Sequence, residues 1–330
     1  MKLLFDARWD GEHGIGRFAR EVRARLAVAA DLRAPMAPWS ALDPAHLALR
    51  LRSAPRPDLF YSPGYNAPLA SPVPFVFTIH DLNHIRFPEA RTALKALYYE
   101  RIMKPACRRA RAVVTVSAYS KADICAWSGL PPERVIDVGN GVGAPFDTEG
   151  EKYAHLRPYV LCVGNRKPHK NERRSLAAFA RIAASVPHDL LFTGEPTLPL
   201  LQAAAEAKLS GRVYFLGRLD DRRLAAVYRA AAAVLFVSLY EGFGLPVIEA
   251  QACGAPVISS DVCALPEVSG GAALLVDPRS AGAIAAALEA VLTDAALARG
   301  LTLAGRANCA RYSWDRTGAA LQQLLARCRD

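Results

Sequence analysis

No run of about eighteen uncharged apolar residues occurs anywhere in the 330 positions, so no membrane-spanning helix is expected. The seven cysteines form no C-x-x-C pair and are scattered from Cys107 to Cys328. That pattern argues against a disulfide framework and a zinc site, and for a reducing, cytoplasmic compartment. No D-x-D stands at a strand end to clamp a divalent ion, and no internal repeat is evident. The opening MKLLFDARWD turns charged within six residues and lacks the apolar region and small-residue cleavage site of a secretory signal, so it reads as a first strand. The charge of +10 is not gathered into a tail: 22 basic residues face 16 acidic ones before Pro158, and 19 face 15 from there on. Basic stretches interleaved with aromatics are also missing, and nucleic acid is not expected as a partner.

What is present is apolar material, 52% of the chain, in a length that exceeds one ordinary core. Short β-rich runs alternate with Ala/Leu/Arg stretches of helical period, the signature of parallel sheets covered by helices. Strands are expected at Lys2–Phe5, Leu59–Tyr61, Phe75–Ile79, Ala112–Val116 and Val135–Val138. A second set is expected at Tyr159–Val163, Asp189–Phe192, Val213–Leu216, Ala233–Val237, Pro256–Ser259 and Ala273–Val276. Both halves have the look of doubly wound units. The Gly/Pro-rich stretch from Val138 to Pro158 is the linker candidate. The expected division is therefore 1–153, 154–312 and a C-terminal helix, 313–330, capped by Ser313 and returning to the first domain.

The stretch YEGFGLPVIEAQACGAPVIS, Tyr240 to Ser259, sets Glu241 and Glu249 eight positions apart. Gly242 and Gly244 make a turn, Pro246 suits the first turn of a helix, and Gly254 ends it. Backbone N–H groups of Phe243, Gly244 and Leu245 then face outward at the positive helix end, where a phosphate is favoured. Carboxylates accept from vicinal hydroxyls, so one glutamate can hold a sugar and the other a ribose. The plain alternative makes Glu241 a cap and Glu249 a solvated helix residue.

These residues resemble the retaining, nucleotide-sugar-dependent glycosyltransferases of GT-B architecture, the group 1 or family 4 type, and among them bacterial mannosyltransferases of polysaccharide assembly. The resemblance implies an α/β fold of two Rossmann-like domains facing a cleft, the first binding the acceptor and the second the donor. It assigns Glu241 to the transferred sugar, Glu249 to the ribose, and the Phe243, Gly244 and Leu245 amides to sugar and phosphate. In YVLCVGNRKPHKNERRSLAAFA, Lys170 and Arg166 become donors to the diphosphate, with Lys167 as a substitute for Arg166. DARWDGEHGIGRFAREV places Gly14 and Gly16 in a turn before a helix expected at Arg17–Ala27, and the resemblance sets them at the donor, near its phosphates or the acceptor, where missing side chains let the backbone come close. FVFTIHDLNHIRFPEA puts His80 and Asp81 at a strand end, in the family's position next to acceptor and reacting carbon. VTVSAYSKADI suggests a helix cap by Ser117 or Ser120, and Asn140-Gly141-Val142 reads equally as a family segment or a type I′ turn.

The implied reaction is same-face transfer with His80 positioning or polarising, without metal or other cofactor; the nucleotide sugar is a substrate. The expected donor is GDP-mannose, with dTDP- or UDP-sugars and rhamnosyl or other hexosyl transfer as alternatives. The expected acceptor is a saccharide or lipid-linked saccharide of surface polysaccharide assembly. Peripheral contact with an anionic membrane through Leu94–Ala112, which carries Tyr98, Tyr99, Lys104, Arg108, Arg109 and Arg111, is weighed against a solvated helix face. A non-catalytic nucleotide-sugar-binding subunit and an epimerase are the readings of another kind.

Overall fold

The computed structural model describes every residue except 12, 34, 54, 55, 90 and 330; Glu12 of the first glycine loop and the final residue of the C-terminal segment therefore lie outside the described residues. The chain forms two compact units, Met1–Gly141 with Ser313–Asp330, and Val142–Tyr312.

In the first unit six parallel strands, β1 (Leu3–Asp6), β2 (Val28–Leu32), β3 (Leu59–Ser62), β4 (Phe75–Thr78), β5 (Ala112–Thr115) and β6 (Val135–Asp137), run in the order β2-β1-β3-β4-β5-β6. β1, β3, β4 and β5 are buried at every position. Such sheets need uninterrupted apolar runs because helices cover both faces. Each fully buried Leu or Phe contributes roughly 1.5–3 kcal/mol. The edge strand β2 escapes the sequence pattern: VAADL has weak β propensity and exposes two alanines. It is a strand because β1 pairs with it, Phe5 opposite Asp31. The helix before it is correspondingly Gly14–Arg23, not Arg17–Ala27.

The second unit holds β7 (Tyr159–Cys162), β8 (Asp189–Phe192), β9 (Val213–Phe215), β10 (Ala233–Phe236), β11 (Val257–Ser260) and β12 (Leu274–Val276), in the order β12-β11-β10-β7-β8-β9. Chain order reverses between β7 and β10, the switch point at whose carboxyl ends open α/β sheets bind ligands.

The units divide after Gly141, earlier than the boundary at 153 drawn from the sequence. Arg229 explains this, donating to the carbonyls of Pro145 at 2.5 Å, Asp147 at 2.8 Å and Glu151 at 3.1 Å, which fastens the Gly/Pro-rich stretch to the second unit. Nor is Asn140-Gly141 a type I′ turn, since neither residue has positive φ. Gly141 is instead a close approach: a Cβ there would lie 2.2 Å from the Trp314 amide nitrogen. Trp314 opens the C-terminal helix, Trp314–Arg327, capped by Ser313 and packed on helix Gly14–Arg23, with its ring 6.4 Å from Phe18 and Asp315 bonded to Arg25 at 2.7 Å. Gly141→Ala is expected to lose about 1–3 kcal/mol of stability by overpacking, read from the urea midpoint of the first unit's transition.

Candidate active site

At the switch point of the second sheet two loops are tied together. After β7 comes a basic turn, Pro168–Lys170, then helix Glu172–Ile182. Asn171 adopts the left-handed conformation at φ +59, which lets the chain reverse into that helix. Its side-chain amide donates to the Val237 carbonyl at 2.9 Å and the Pro278 carbonyl at 2.7 Å. The Leu239 amide donates to the His169 carbonyl at 2.7 Å. The basic turn is thus hydrogen-bonded to the chain leaving β10 and to the chain leaving β12.

Across this joint Lys170 Nζ lies 2.7 Å from Glu241 Oε1, both side chains about one-eighth exposed, and 5.1 Å above the Phe236 ring. Partial burial strengthens such a pair over a surface one. Beyond Glu241 the turn reaches Gly244 at φ +98, where a Cβ would strike Leu265 at 2.5 Å, so glycine is required twice over. Helix Leu245–Ala252 follows with Pro246 in its first turn. Phe243 is buried edge-on against Tyr312, 5.5 Å away.

Glu249 lies within that helix, only 3% exposed, and its carboxylate accepts from the Tyr228 hydroxyl at 3.1 Å. It is a buried residue, neither a cap nor solvated. Tyr228 carries no motif of its own; among the alanines of helix Asp221–Ala230 only its aromatic ring sets it apart.

Arg166 is engaged by protein partners. Its guanidinium is ion-paired to Glu172 and donates to the carbonyls of Thr193 at 2.6 Å, Gly194 at 3.0 Å and Glu195 at 2.7 Å. Burial pushes the Glu172 carboxyl up, and the charge and hydrogen bond of Arg166 pull against that shift.

In the first unit Gly14 begins its helix and His13 caps it, Nδ1 accepting from the Gly16 amide at 2.9 Å. A Cβ at Gly16 would sit 2.0 Å from the Gly11 carbonyl oxygen. Gly16 therefore lies in close approach to the Gly11 backbone, and its amide serves the cap. His80 follows β4, 8% exposed, with Nε2 2.8 Å from the Pro63 carbonyl and its ring edge-on to Phe18 at 5.0 Å. That contact places the proton on Nε2. Asp81 accepts from the Tyr65 hydroxyl at 2.9 Å and the Asn83 amide at 3.0 Å. Ser117 caps helix Ala118–Ser128, whereas Ser120 donates to the His80 carbonyl at 3.1 Å.

The sequence did not announce the network that fixes these loops. Arg8, after β1, pairs with Asp6 at 2.7 Å and with Asp43 at 2.5 Å, all three side chains at most 4% exposed. Burial would lower the Arg8 pKa, but the hydrogen bonds and charges of the two aspartates outweigh it and the guanidinium stays protonated. Asn66 donates to Asp43 at 2.9 Å and accepts from Tyr98 at 3.0 Å. Its neighbour Tyr65 meets Trp9, His80 and His84 at 5.5–6.4 Å between ring centres. DARWD held a signal, an arginine two residues after a strand-end aspartate, which spacing alone does not mark as buried.

Burial lowers the His80 pKa below its ordinary 6.5, against the Pro63 hydrogen bond and the charge of Asp81. The unfolded chain then binds the proton more readily, so this contribution is intact above the ordinary value and is lost as pH falls below it. Stability should decline between about pH 7 and 5. His80→Gln should shallow that slope without abolishing it, since burial lowers His188 likewise, as urea titrations across the interval will show.

Comparison with known proteins agrees with this architecture. Residues 7–144 match the model described as Glycosyltransferase Family 4, and residues 157–294 that of Glycosyl transferases group 1. The chain is similar to O-antigen chain mannosyltransferase B of Escherichia coli, 29% identical over 255 residues, 73% of this chain and 67% of that one. It is similar also to the serotype-specific mannosyltransferase WbdA of Escherichia coli, 30% identical over 63% of this chain but only 28% of the relative's length. Among solved structures, sucrose-phosphate synthase from Thermosynechococcus elongatus superposes with a TM-score of 0.80 over 98% of both chains at 21% identity, a likeness of fold.

Proposed function

The chain belongs to the group 1, family 4 glycosyltransferases, and on that premise we propose that it transfers mannose from GDP-mannose, with retention, to a saccharide or lipid-linked saccharide in surface polysaccharide assembly. The observation that carries this reading is the Lys170–Glu241 pair beside the 243–245 turn at the switch point. The names of the relatives, O-antigen and serotype-specific mannosyltransferases, favour mannose over the dTDP- or UDP-sugar alternatives.

Breaking the bond from the anomeric carbon to the diphosphate builds positive charge on the sugar and negative charge on the leaving group. Fixed donors aimed at the leaving oxygens are the main electrostatic contribution. Lys170 and the 243–245 amides are those donors, and Glu241, already next to the ammonium, accepts from the sugar's hydroxyls. Glu249 accepts from the ribose, its carboxylate oriented by Tyr228. The acceptor belongs to the first unit, where His80 and Asp81 position it and Gly14 lines its approach. The nucleophile is the acceptor hydroxyl, entering on the face the diphosphate leaves. A binding subunit without turnover would need no paired cation and carboxylate at the leaving group.

Lys170→Ala and Glu249→Ala should each lower turnover about tenfold to a hundredfold with donor limiting and acceptor saturating, one charge-assisted bond apiece. Unchanged kinetics would sink the assignment. A thermal-shift panel of GDP, UDP and dTDP identifies the base, because the preferred ligand raises the melting point most.

The enzyme's place is the cytoplasm, at the inner face of the membrane. Of the segment expected to meet anionic lipid, Tyr99 is buried and Tyr98 half-buried, so neither aromatic faces outward. Exposed Leu94 and Leu97 precede exposed Arg101, Arg108 and Arg109 on that stretch, and exposed Trp39 follows Pro38, whose carbonyl is bonded to Asn66, the partner of Tyr98. An apolar tip beside a basic stripe suits an anionic interface. Sedimentation with anionic vesicles should show salt-sensitive binding that Leu94→Glu with Leu97→Glu weakens about tenfold or more; equal binding of both forms refutes membrane contact through this face.

A further inference from the structure

The basic turn after β7 offers two cations of unlike surroundings. Lys170 reaches the carboxylate of Glu241 at the switch point, whereas Arg166 turns away from it, toward the carboxyl ends of β8 and β9. The Arg166 backbone is left-handed at φ +64, a conformation uncommon outside glycine, and it swings the side chain in that direction. Nε is engaged by the Glu195 carbonyl, Nη2 by those of Thr193 and Gly194, and Nη1 by Glu172. The guanidinium lies 5.6 Å from the centre of the Phe192 ring and 5.3 Å from that of Phe215, two rings stacked 5.5 Å apart. Its side chain is 15% exposed.

The surroundings are shaped to this arrangement. A Cβ at Gly164 would lie 2.1 Å from Glu172 Oε1, so glycine there is what lets Glu172 reach Arg166. The loop that Arg166 holds is joined in turn to the loop after β9, by the Gly194 amide donating to the Gly217 carbonyl at 2.7 Å. Those facing glycines make a ledge without side chains at the carboxyl ends of β8 and β9. With the diphosphate at Lys170, a nucleoside attached to it extends over one side of the sheet. On the side toward β11 the Ala264 amide donates to the Glu241 carbonyl at 3.4 Å. The side toward β8 and β9 carries the glycine ledge, and a dinucleotide-binding sheet likewise seats its nucleoside over the first half.

We infer that Arg166 is a positioning residue that clamps residues 193–195 as the platform for the donor's nucleoside, and that it does not bind the diphosphate. This rests on the nucleotide-sugar reading above. It differs from that reading in a measurable way: a phosphate ligand changes affinity for the diphosphate alone, whereas a platform clamp changes affinity for the nucleoside too.

The experiment measures binding of GDP and of guanosine by calorimetry to the full chain and to three variants: Lys170→Ala, Arg166→Ala, and Arg166→Met with Glu172→Gln. The double variant removes the pair without stranding a buried charge. Lys170→Ala should weaken GDP about tenfold or more and leave guanosine within about twofold. Both Arg166 variants should weaken GDP and guanosine by the same factor, about tenfold, at a temperature where circular dichroism shows them folded. Loss of GDP affinity with guanosine unaffected makes Arg166 a phosphate ligand and overturns the inference. So does unchanged affinity for both, which reduces the clamp to a packing role. If wild type binds UDP and not GDP, the mannose reading fails while the clamp is tested unchanged with UDP and uridine.

Discussion

Two strands leave the middle of the second sheet side by side and their chains part in opposite directions, the topology that opens a gap at the carboxyl ends of such strands. What keeps that gap in a defined shape is the joint across it: the Leu239–His169 backbone bond, the Asn171 amide reaching Val237 and Pro278, and the ion pair of Lys170 with Glu241. Opposite charges held this way compensate each other at 2.7 Å. A ligand bearing both anionic oxygens and hydroxyl groups, as a sugar diphosphate does, can exchange with each partner in turn.

The first unit solves a related problem with different means. Its switch point lies between β1 and β3, and the loops there are anchored by a fully buried charge network instead of a partly buried joint. Arg8 between two carboxylates, with Asn66 as the next link, makes the loops after β1 and β3 and the Asp43 segment one hydrogen-bonded body. Breaking one member would leave a charge uncompensated in a low-dielectric interior, a loss of roughly 3–5 kcal/mol. Rigidity at His80 and Asp81 follows from this body through Tyr65, which touches both.

Much of this was written plainly in the chain. Parallel strands buried on both faces must be apolar throughout, so the eleven expected strands, all found among the twelve of the described residues, required no tertiary knowledge, and the stretch around Gly242 to Gly254 spelled out its turn and helix. β2 was illegible because an edge strand draws its stability from pairing, and VAADL has no alternation to display. The direction of the Arg166 side chain was illegible for a similar reason. A run of basic residues in a turn says that charge is near an anion site, but the sign of one backbone torsion decides which way each side chain goes, and no local pattern encodes that a left-handed arginine will be paid for by three carbonyls and a glutamate. The Arg8 network was invisible because Asp43 and Asn66 are distant in sequence and each has an ordinary local neighbourhood.

The closing helix has a consequence for biosynthesis. The second unit is one continuous stretch, whereas the first is completed only by Trp314–Arg327 lying on helix Gly14–Arg23. On the ribosome, where amino-terminal segments usually fold first, Phe18 therefore waits uncovered by Trp314 until nearly three hundred further residues have been added. The later half of the polypeptide can reach its native state ahead of the earlier half, an inversion of the ordinary vectorial sequence.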